Sequence, residues 1–589
     1  MDFAPPRPWV SRYGPGVPAE ITVPDGSLPD LLEASVRSYE RSVALEFFGA
    51  ETSYRDLGES VLKAAEGLRR LGVGTGDRVA LVLPNCPQHI VAFYAVLRLG
   101  AIVVEHNPLY TDRELRHQFE DHGATVAVVW DKVVPRVQAL PADVGVESIV
   151  SVSLPAALPA LKRLALRLPL PAARKSRDAL TTSERLSGPR PVHSWRKLLA
   201  HRALRRQHPR PSSGDIAVLQ YTSGTTGQAK GAVLTHRNLL ANAAQGRAWV
   251  PGLEEGREVV YAVLPMFHAY GLTLCLTFAM SIGARLVLFP RFDVDLVLRA
   301  ARRSPPTFLP AVPPIYERLA TAANARGADL SSIRCAISGA MNLPEATVEF
   351  WEKTTGGYLV EGYGLTETSP VAIGNPIGPT RRPGTVGLPF PNTDIRVVDP
   401  DNPSQDREPG QPGELLIRGP QVFSGYWRKP EETEAALLDG GWFRTGDIVR
   451  VDEDHYVTVV DRIKELIITG GFNVAPSEVE DALSAHADVA DAAVVGLPGT
   501  GGGEDVVAVV VLREGCELDA DALRQHCRAA LAAYKVPKRI IAVEELPRSL
   551  IGKVLRREVR TQLLVEGTAA PNSREPQKTM EVNDRMGTE

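Results

Sequence analysis

Between Tyr221 and Gly231 the chain reads Tyr221-Thr222-Ser223-Gly224-Thr225-Thr226-Gly227-Gln228-Ala229-Lys230-Gly231, with four Ser/Thr hydroxyls, three glycines and one lysine. Glycines let the backbone fold so that several N–H groups face one anion. Hydroxyl donors rotate to follow phosphate oxygens, and Lys230 adds a mobile positive charge. This is a phosphate-binding composition. It is not a Walker A loop, which needs Gly directly before its Lys and Ser or Thr after it; here Lys230 lies between Ala229 and Gly231. The sequence places the loop after an apolar strand over Ile216–Leu219 and before a helix beginning near Arg237.

Other chemistries find less support. The nucleophile elbow G-x-S-x-G fails at Ser223, where Tyr221 takes the first Gly position, and at Ser338, where Ala336 does. There is no H-E-x-x-H. The run Gly499-Thr500-Gly501-Gly502-Gly503 lacks the last glycine of a dinucleotide fingerprint. Five dispersed cysteines, Cys86, Cys275, Cys335, Cys516 and Cys527, form neither a disulfide framework nor a zinc pattern. With 66 basic against 70 acidic residues the net charge is -4, which argues against nucleic acid as a partner. The N-terminus shows no secretory signal and no apolar run is long enough to span a bilayer, so the expected location is cytoplasmic.

The phosphate loop needs a scaffold. At 589 residues the chain is long enough for several cores. Val79–Leu83, Ala101–Val104 and Ala124–Trp130 read as strands, with a helix over Gln88–Leu99 between the first two. Later strands fall at Ile216–Tyr221, Val259–Leu264, Arg285–Phe289 and Ile333–Ile337. This alternation predicts an α/β fold of βαβ units and parallel sheet. Beyond about residue 384, short strands at Asp394–Val398, Glu414–Arg418 and His455–Val460 indicate a small β subdomain. An α+β unit follows Asp461, with helices over Ser477–His486 and Asp519–Ala532 and strands over Asp491–Gly496 and Val506–Leu512. The expected organisation is an extended lead-in over 1–30, a large domain over 31–460, a small lid domain over 461–566 and a disordered tail over 567–589. Residues 155–210 stand out as an insertion carrying Lys162, Arg163, Arg167, Arg174, Lys175, Arg202, Arg205 and Arg206. It reads either as a solvated surface segment or as a basic amphipathic contact with anionic membrane at the inner face.

Several segments then recur in one order: Leu264-Pro265-Met266-Phe267-His268-Ala269-Tyr270-Gly271, Gly362-Tyr363-Gly364-Leu365-Thr366-Glu367-Thr368, Gly441-Trp442-Phe443-Arg444-Thr445-Gly446-Asp447, Asp461-Arg462-Ile463-Lys464, Gly470-Gly471 and Ser549-Leu550-Ile551-Gly552-Lys553. Together with the phosphate loop they resemble the adenylate-forming (AMP-binding) superfamily, from about residue 30 to about 560. The resemblance implies a large α/β domain, a mobile α+β C-terminal domain, and ATP, Mg²⁺ and coenzyme A as cofactor and substrates. A carboxylate would attack the α-phosphorus of ATP to give an acyl adenylate and pyrophosphate, and a thiol would then displace AMP.

The resemblance also assigns roles. Lys553 bridges carboxylate and α-phosphate; read alone it is an exposed lysine. Glu367 is the Mg²⁺ ligand and Thr366 donates to the α-phosphate. Thr222, Ser223, Gly224, Thr225, Thr226, Gly227 and Lys230 hold the phosphates. Tyr363 and Gly364 lie at adenine, with Gly339 and Ala340 at its edge. Asp447 accepts from the ribose hydroxyls, and Arg462 sits on the ribose or phosphate side. Asp461 is the hinge, and the loop with Gly470 and Gly471 approaches for the thiol step. His268 lines or gates the acyl-carboxylate site and is not a base, since carboxylate attack removes no proton. The stretch His268–Thr273 carries no carboxylate to hold a substrate ammonium, so an apolar acid is favoured, with Leu272, Leu274 and the Ser338–Met341 turn near its chain. The chain is most similar to medium- or long-chain fatty acid–CoA ligases. An aryl acid, a carrier-protein acceptor and an inactive nucleotide-binding regulator remain alternatives, and a homodimer remains open beside a monomer.

Overall fold

A computed structural model describes residues 7–184, 186–222, 229–469, 472–499, 503–549 and 552–569. The chain divides into two units, Met1–Val459 and Val460–Glu589.

Two sheets form the centre of the first unit. Strands such as Val126–Trp130 and Ile102–Glu105 are continuous apolar runs with buried side chains on both faces, the signature of parallel strands covered on both sides. A seven-stranded sheet runs in the order Val192–Ser194, Ser148–Val152, Val126–Trp130, Arg78–Val82, Ile102–Glu105, Ile216–Thr222, Lys230–Thr235. All neighbours in it are parallel except the last pair. A nine-stranded sheet has a parallel core of Tyr358–Gly364, Cys335–Ser338, Phe308–Ala311, Val259–Ala262, Arg285–Leu288 and Val43–Phe47, with antiparallel strands at both edges. The helix Pro87–Arg98 lies between the sheets, touching Val43–Phe47 of one and Arg78–Val82 of the other. Its burial extends to Gln88, His89 and Arg98. Arg98 donates to Pro209 O at 3.0 Å and His208 O at 3.3 Å, with its Nε 3.7 Å from Glu33 Oε1, and His89 Nε2 meets both oxygens of Glu105 at 2.9 and 3.0 Å. Such partners offset much of the cost of burying polar groups. A third sheet, of five strands and largely antiparallel, is built around Asp394–Val398, Gly413–Arg418 and Trp442–Val451.

The helix expected near Arg237 begins at His236, and a strand that the sequence reading did not expect lies before it. Lys230–Thr235 is a strand, antiparallel to Ile216–Thr222 with Thr222 opposite Lys230 and Leu219 opposite Val233. The helix His236–Trp249 follows it. The apolar run Ala232-Val233-Leu234 is only three residues long and preceded by Lys230-Gly231, so its pattern is that of a loop; pairing to a buried neighbour makes it a strand.

The basic segment 155–210 is also less uniform than its composition. Helices Ala160–Ala165 and Pro171–Leu180 have no buried residue. Val192–Ser194, however, joins the seven-stranded sheet. Arg190 is buried and donates to the carbonyls of Val146 at 2.9 Å, Leu140 at 3.0 Å and Pro141 at 2.7 Å.

In the second unit, strands Val489–Pro498, Glu504–Leu512 and Arg539–Val543 form one sheet. Alternate residues serve opposite faces. Val494, Ala508 and Val510 pack with Leu483 and Leu523 of helices Pro476–Ser484 and Ala520–Ala530. Val495, Val507 and Val509 pack with Val559 and Leu563 of helix Arg556–Ala569. Among the described residues no helix is long and apolar enough to cross a membrane.

Candidate active site

Parallel strands end together, and ligands bind beyond their carboxyl ends. In the nine-stranded sheet, Val259–Ala262 runs into the turn bearing His268, Cys335–Ser338 into Gly339-Ala340, and Tyr358–Gly364 into Thr366-Glu367. These predicted residues, scattered over a hundred positions of sequence, therefore share one edge.

Close approach explains the glycines. A Cβ on Gly364 would stand 1.8 Å from Pro370 O, and one on Gly339 3.1 Å from the Tyr270 ring and 3.2 Å from Gly362 O. Ala340 adopts φ +68°, a left-handed conformation uncommon outside glycine and frequent at functional sites. The Tyr270 hydroxyl lies 2.7 Å from Ile337 O, fixing the ring under this turn.

The two nucleotide motifs meet. The Tyr363 hydroxyl donates to Asp447 Oδ2 at 2.5 Å, across 84 positions of sequence. Asp447 is buried within the strand Trp442–Val451, and its N–H is 3.1 Å from Thr445 Oγ1. Glu367 sits in a short 3-10 turn, buried, with its Oε1 accepting from the Tyr426 hydroxyl at 2.7 Å. Burial, then the charge of Glu367, pushes the Tyr426 phenol above its ordinary range, so it stays a donor. Lys230 Nζ lies 5.2 Å from the Tyr426 ring centroid, within cation–π reach. The segment around Tyr426 draws these groups together. Phe423 N donates to Glu367 O at 2.8 Å, Ser424 N to Val233 O at 3.0 Å and Trp427 N to Gly231 O at 2.8 Å. Sequence reading gave Tyr426 and Tyr270 no role. Only their contacts mark them.

His268 caps the short helix that starts at Ala269, its Nδ1 accepting from Tyr270 N at 3.2 Å. That bond leaves the proton of a neutral imidazole on Nε2. Desolvation by surrounding protein pushes its pKa down to about 4, so the ring is neutral at pH 7 and serves as a donor. Asn85, a third residue with no role in the sequence reading, pins the preceding turn: Nδ2 donates to Ala262 O at 3.0 Å and Leu264 O at 2.7 Å, and Oδ1 accepts from Met266 N at 2.8 Å.

Behind this edge lies a narrow apolar slot of about 20 Å³, room for little more than one water, lined by Trp249, Leu274, Phe278, Phe308, Ile337, Val360 and Phe390 among others, with Gly362 at its wall. Leu274 belongs to a π-helical stretch, Leu272–Thr277, a distortion frequent at functional sites. Leu272 is fully buried and lies outside the lining, as does the Ser338–Met341 turn.

Thr222, Thr366 and Lys230 are part of this first unit. Ser223, Gly224, Thr225, Thr226, Gly227, Gly470 and Gly471 lie outside the described residues. The second unit carries Asp461, Arg462 and Lys553. Asp461 is buried; Oδ2 accepts from Ser477 N and Oγ, both at 2.8 Å, and Oδ1 is 3.4 Å from Arg556. Arg556 also pairs with Glu480, at 2.5 Å, and with Glu465. Burial opposes ionisation of Glu465, but Arg556 and then Lys553 overcome it and hold its carboxyl below the usual range. Lys553 closes a tight turn in which Ser549 N donates to Lys553 O at 2.7 Å and Gly552 takes φ +81°. Among the described residues no group of three or more His, Cys, Asp or Glu side chains could hold a metal on its own. The buried carboxylate of Glu367, on a turn that touches both Ile216–Thr222 and Lys230–Thr235, fits Mg²⁺ instead, which keeps few protein ligands and takes substrate phosphates for the rest.

The chain belongs to the AMP-binding enzyme family: the model of that description matches residues 32–427, and that of the AMP-binding enzyme C-terminal domain matches residues 478–553. It is 38% identical over 561 residues to the long-chain-fatty-acid–CoA ligase of Bacillus subtilis, covering 94% of this chain and 97% of that protein. It is 38% identical over 579 residues to the enzyme of the same name from Yersinia pestis, covering 95% and 99%. Among solved structures it is similar to ATP-bound MatB from Rhodopseudomonas palustris, with a TM-score of 0.79 and 30% identity over 92% of this chain and 99% of that one.

Proposed function

We propose that this protein is an ATP-dependent fatty acid–CoA ligase. The carboxylate oxygen of a fatty acid attacks the α-phosphorus of ATP, the bond to pyrophosphate breaks, and acyl-AMP forms. The sulfur of coenzyme A then attacks the acyl carbonyl and AMP leaves with the electron pair of its C–O bond. The observation that carries this reading is the shared boundary of two sites. The strands Cys335–Ser338 and Tyr358–Gly364 end in the nucleotide motifs, and their Ile337, Val360 and Gly362 wall the apolar slot. A fatty chain would widen that slot by moving its side chains, and its head would then lie at the strand ends, beside the phosphates.

Adenylation brings two anions together, so the chain's own groups must offset repulsion. Lys230, Thr222 and the loop hydroxyls meet the β- and γ-phosphates. Thr366 donates to the α-phosphate, and Lys553 bridges it to the carboxylate. Neutral His268 donates from Nε2 to the carboxylate head. Asp447 holds the ribose and Tyr363 the adenine face, with Arg462 on the ribose or phosphate side. Glu367 would hold Mg²⁺, which supplies charge neutralisation on the phosphates. Asp461 acts as the hinge between the half-reactions. The basic insertion within 155–210 contacts anionic membrane, where amphiphilic acids accumulate.

Acid-dependent ATP–pyrophosphate exchange, screened across fatty, aryl and amino acids, tests the substrate class; AMP release with coenzyme A against a carrier protein tests the acceptor. Exchange driven by aryl but not alkyl acids would overturn the fatty-acid assignment, and no exchange with any acid would leave a nucleotide-binding regulator.

A further inference from the structure

Residues 158–177 hold six basic and no acidic side chains. Within them, leucines that a water-soluble surface ordinarily hides stand in solvent. Leu161 is 82% exposed, Leu164 61%, Leu168 47% and Leu170 54%. They follow a helical spacing in helix Ala160–Ala165 and the turn after it, where Leu168 N bonds to Ala165 O at 3.2 Å. Positions i, i+3 and i+7 share one face. Elsewhere among the described residues, exposed large apolar side chains occur singly or, at Leu564 and Val565, as a pair.

The hairpin is held in place. Leu154 and Leu158 are buried at its entry. Lys162 Nζ donates to Phe48 O at 2.7 Å, Arg177 reaches back to Leu166 O at 3.4 Å, and Leu180 O accepts from Trp130 Nε1 at 3.0 Å. Lys162 and Arg177 are thus spent on anchoring. Arg163, Arg167, Arg174 and Lys175 are exposed and have no carboxylate within ion-pair distance among the described residues. The second basic run differs: between Arg202 and Arg205 the apolar residue, Leu204, is buried, so it offers charge without an apolar wedge.

We propose that this hairpin, and not the rest of the insertion, is a membrane-docking surface. Leu161, Leu164, Leu168 and Leu170 enter the acyl region of an anionic monolayer while Arg163, Arg167, Arg174 and Lys175 meet its headgroups. An apolar face rimmed by cations, with Asp178 the single acid in its two helices, matches the chemistry of an anionic lipid interface. The inference rests on the reading of the insertion as a membrane contact and narrows it to twenty residues.

The test is sedimentation of the full-length protein with vesicles of phosphatidylcholine alone or containing phosphatidylglycerol. Wild type binds the anionic vesicles, and added salt releases part of it. The variant L161S/L164S/L168S/L170S and the variant R163Q/R167Q/R174Q/K175Q each bind at least about tenfold more weakly, while R202Q/R205Q/R206Q stays near wild type. ATP–pyrophosphate exchange with octanoate, a water-soluble acid, is unchanged in all three, which verifies folding. If wild type ignores both vesicles, the membrane reading itself fails. If wild type binds and the hairpin variants bind equally well, the contact lies elsewhere and this inference alone fails. A lipid-free dimer of wild type that the serine variant converts to monomer would assign the face to a second copy and overturn the proposal.

Discussion

At the scale of single residues, chemistry rests on where charge is placed. Lys553 follows Gly552, which takes a left-handed conformation, and its charge helps hold the Glu465 carboxyl of the same unit below the usual range. Lys553→Ala is expected to lower acyl-AMP formation about 10²–10³-fold, the range for removing one oriented transition-state donor. Thioester formation from supplied acyl-AMP should stay within about threefold. Pyrophosphate exchange and a coupled acyl-AMP plus coenzyme A assay separate the two; parallel loss in both would show that the lysine does not act in adenylation. The identities of Tyr363, Glu367, Asp447 and Lys553 were legible because residue type and order carry them. Tyr426 and Asn85 were not, since each works by holding another residue. A tyrosine that hydrogen-bonds a carboxylate 59 positions away, or an asparagine that pins a turn 181 positions away, leaves no local pattern.

At the scale of elements, backbone proximity sets the site. The Gly364 Cα faces Pro370 O so closely that a methyl group would overlap backbone, which no rotamer change relieves. Gly364→Ala should cost about 3 kcal/mol of stability and weaken ATP binding. Gly145→Ala, at a position with open space around it, should stay within about 0.5 kcal/mol. Thermal unfolding and nucleotide titration check the pair; equal behaviour would mean that the Pro370 turn simply moves. Strands rich in Val, Ile and Leu were readable to within a residue or two, as at Val126–Trp130, because burial on both faces leaves an unbroken apolar run. The Lys230–Thr235 strand was not readable. Its glycine, lysine and short apolar run belong to a hairpin whose partner supplies the order.

At the scale of the molecule, titration and domain movement come into play. Burial holds His106, His236 and His268 at about 4, below the 6.5 of the free imidazole. Between those values the unfolded chain binds protons that the folded one does not, so stability rises with pH, by up to about 1.4 kcal/mol per pH unit for each ring. Burial raises Glu361 to about 8, so the folded state keeps its proton above the ordinary carboxylate value of 4.5 and stability falls as pH rises toward 8. Burial and the neighbouring His106 also hold His122 well below its ordinary value, so four rings against this carboxyl give a rising limb below pH 6.5. The carboxyl gives a shallow falling limb above it. Urea midpoints from pH 5 to pH 8 should peak near 6.5, and replacing the four histidines by Gln should flatten the acid limb. A midpoint that climbs steadily to pH 8 would contradict the assignment for Glu361. The proposed hinge needs a controlled comparison. Asp461 also anchors Ser477 and Arg556, so Asp461→Pro removes a structural carboxylate as well as a rotatable φ. Relative to Asp461→Ala, the proline variant should keep adenylation and lose at least about tenfold in thioester formation. Identical kinetics in the two would place the pivot elsewhere.

The bond between Tyr363 and Asp447 has one more consequence. A carboxylate carries about four acceptor sites, so a sugar hydroxyl can join the phenol at Asp447 without displacing it. The phenol then fixes the direction the carboxylate faces, and base and sugar recognition become one unit. Tyr363→Phe should therefore weaken nucleotide binding at both ends, and competition of ATP with GTP and with 2′-deoxy-ATP would reveal that link.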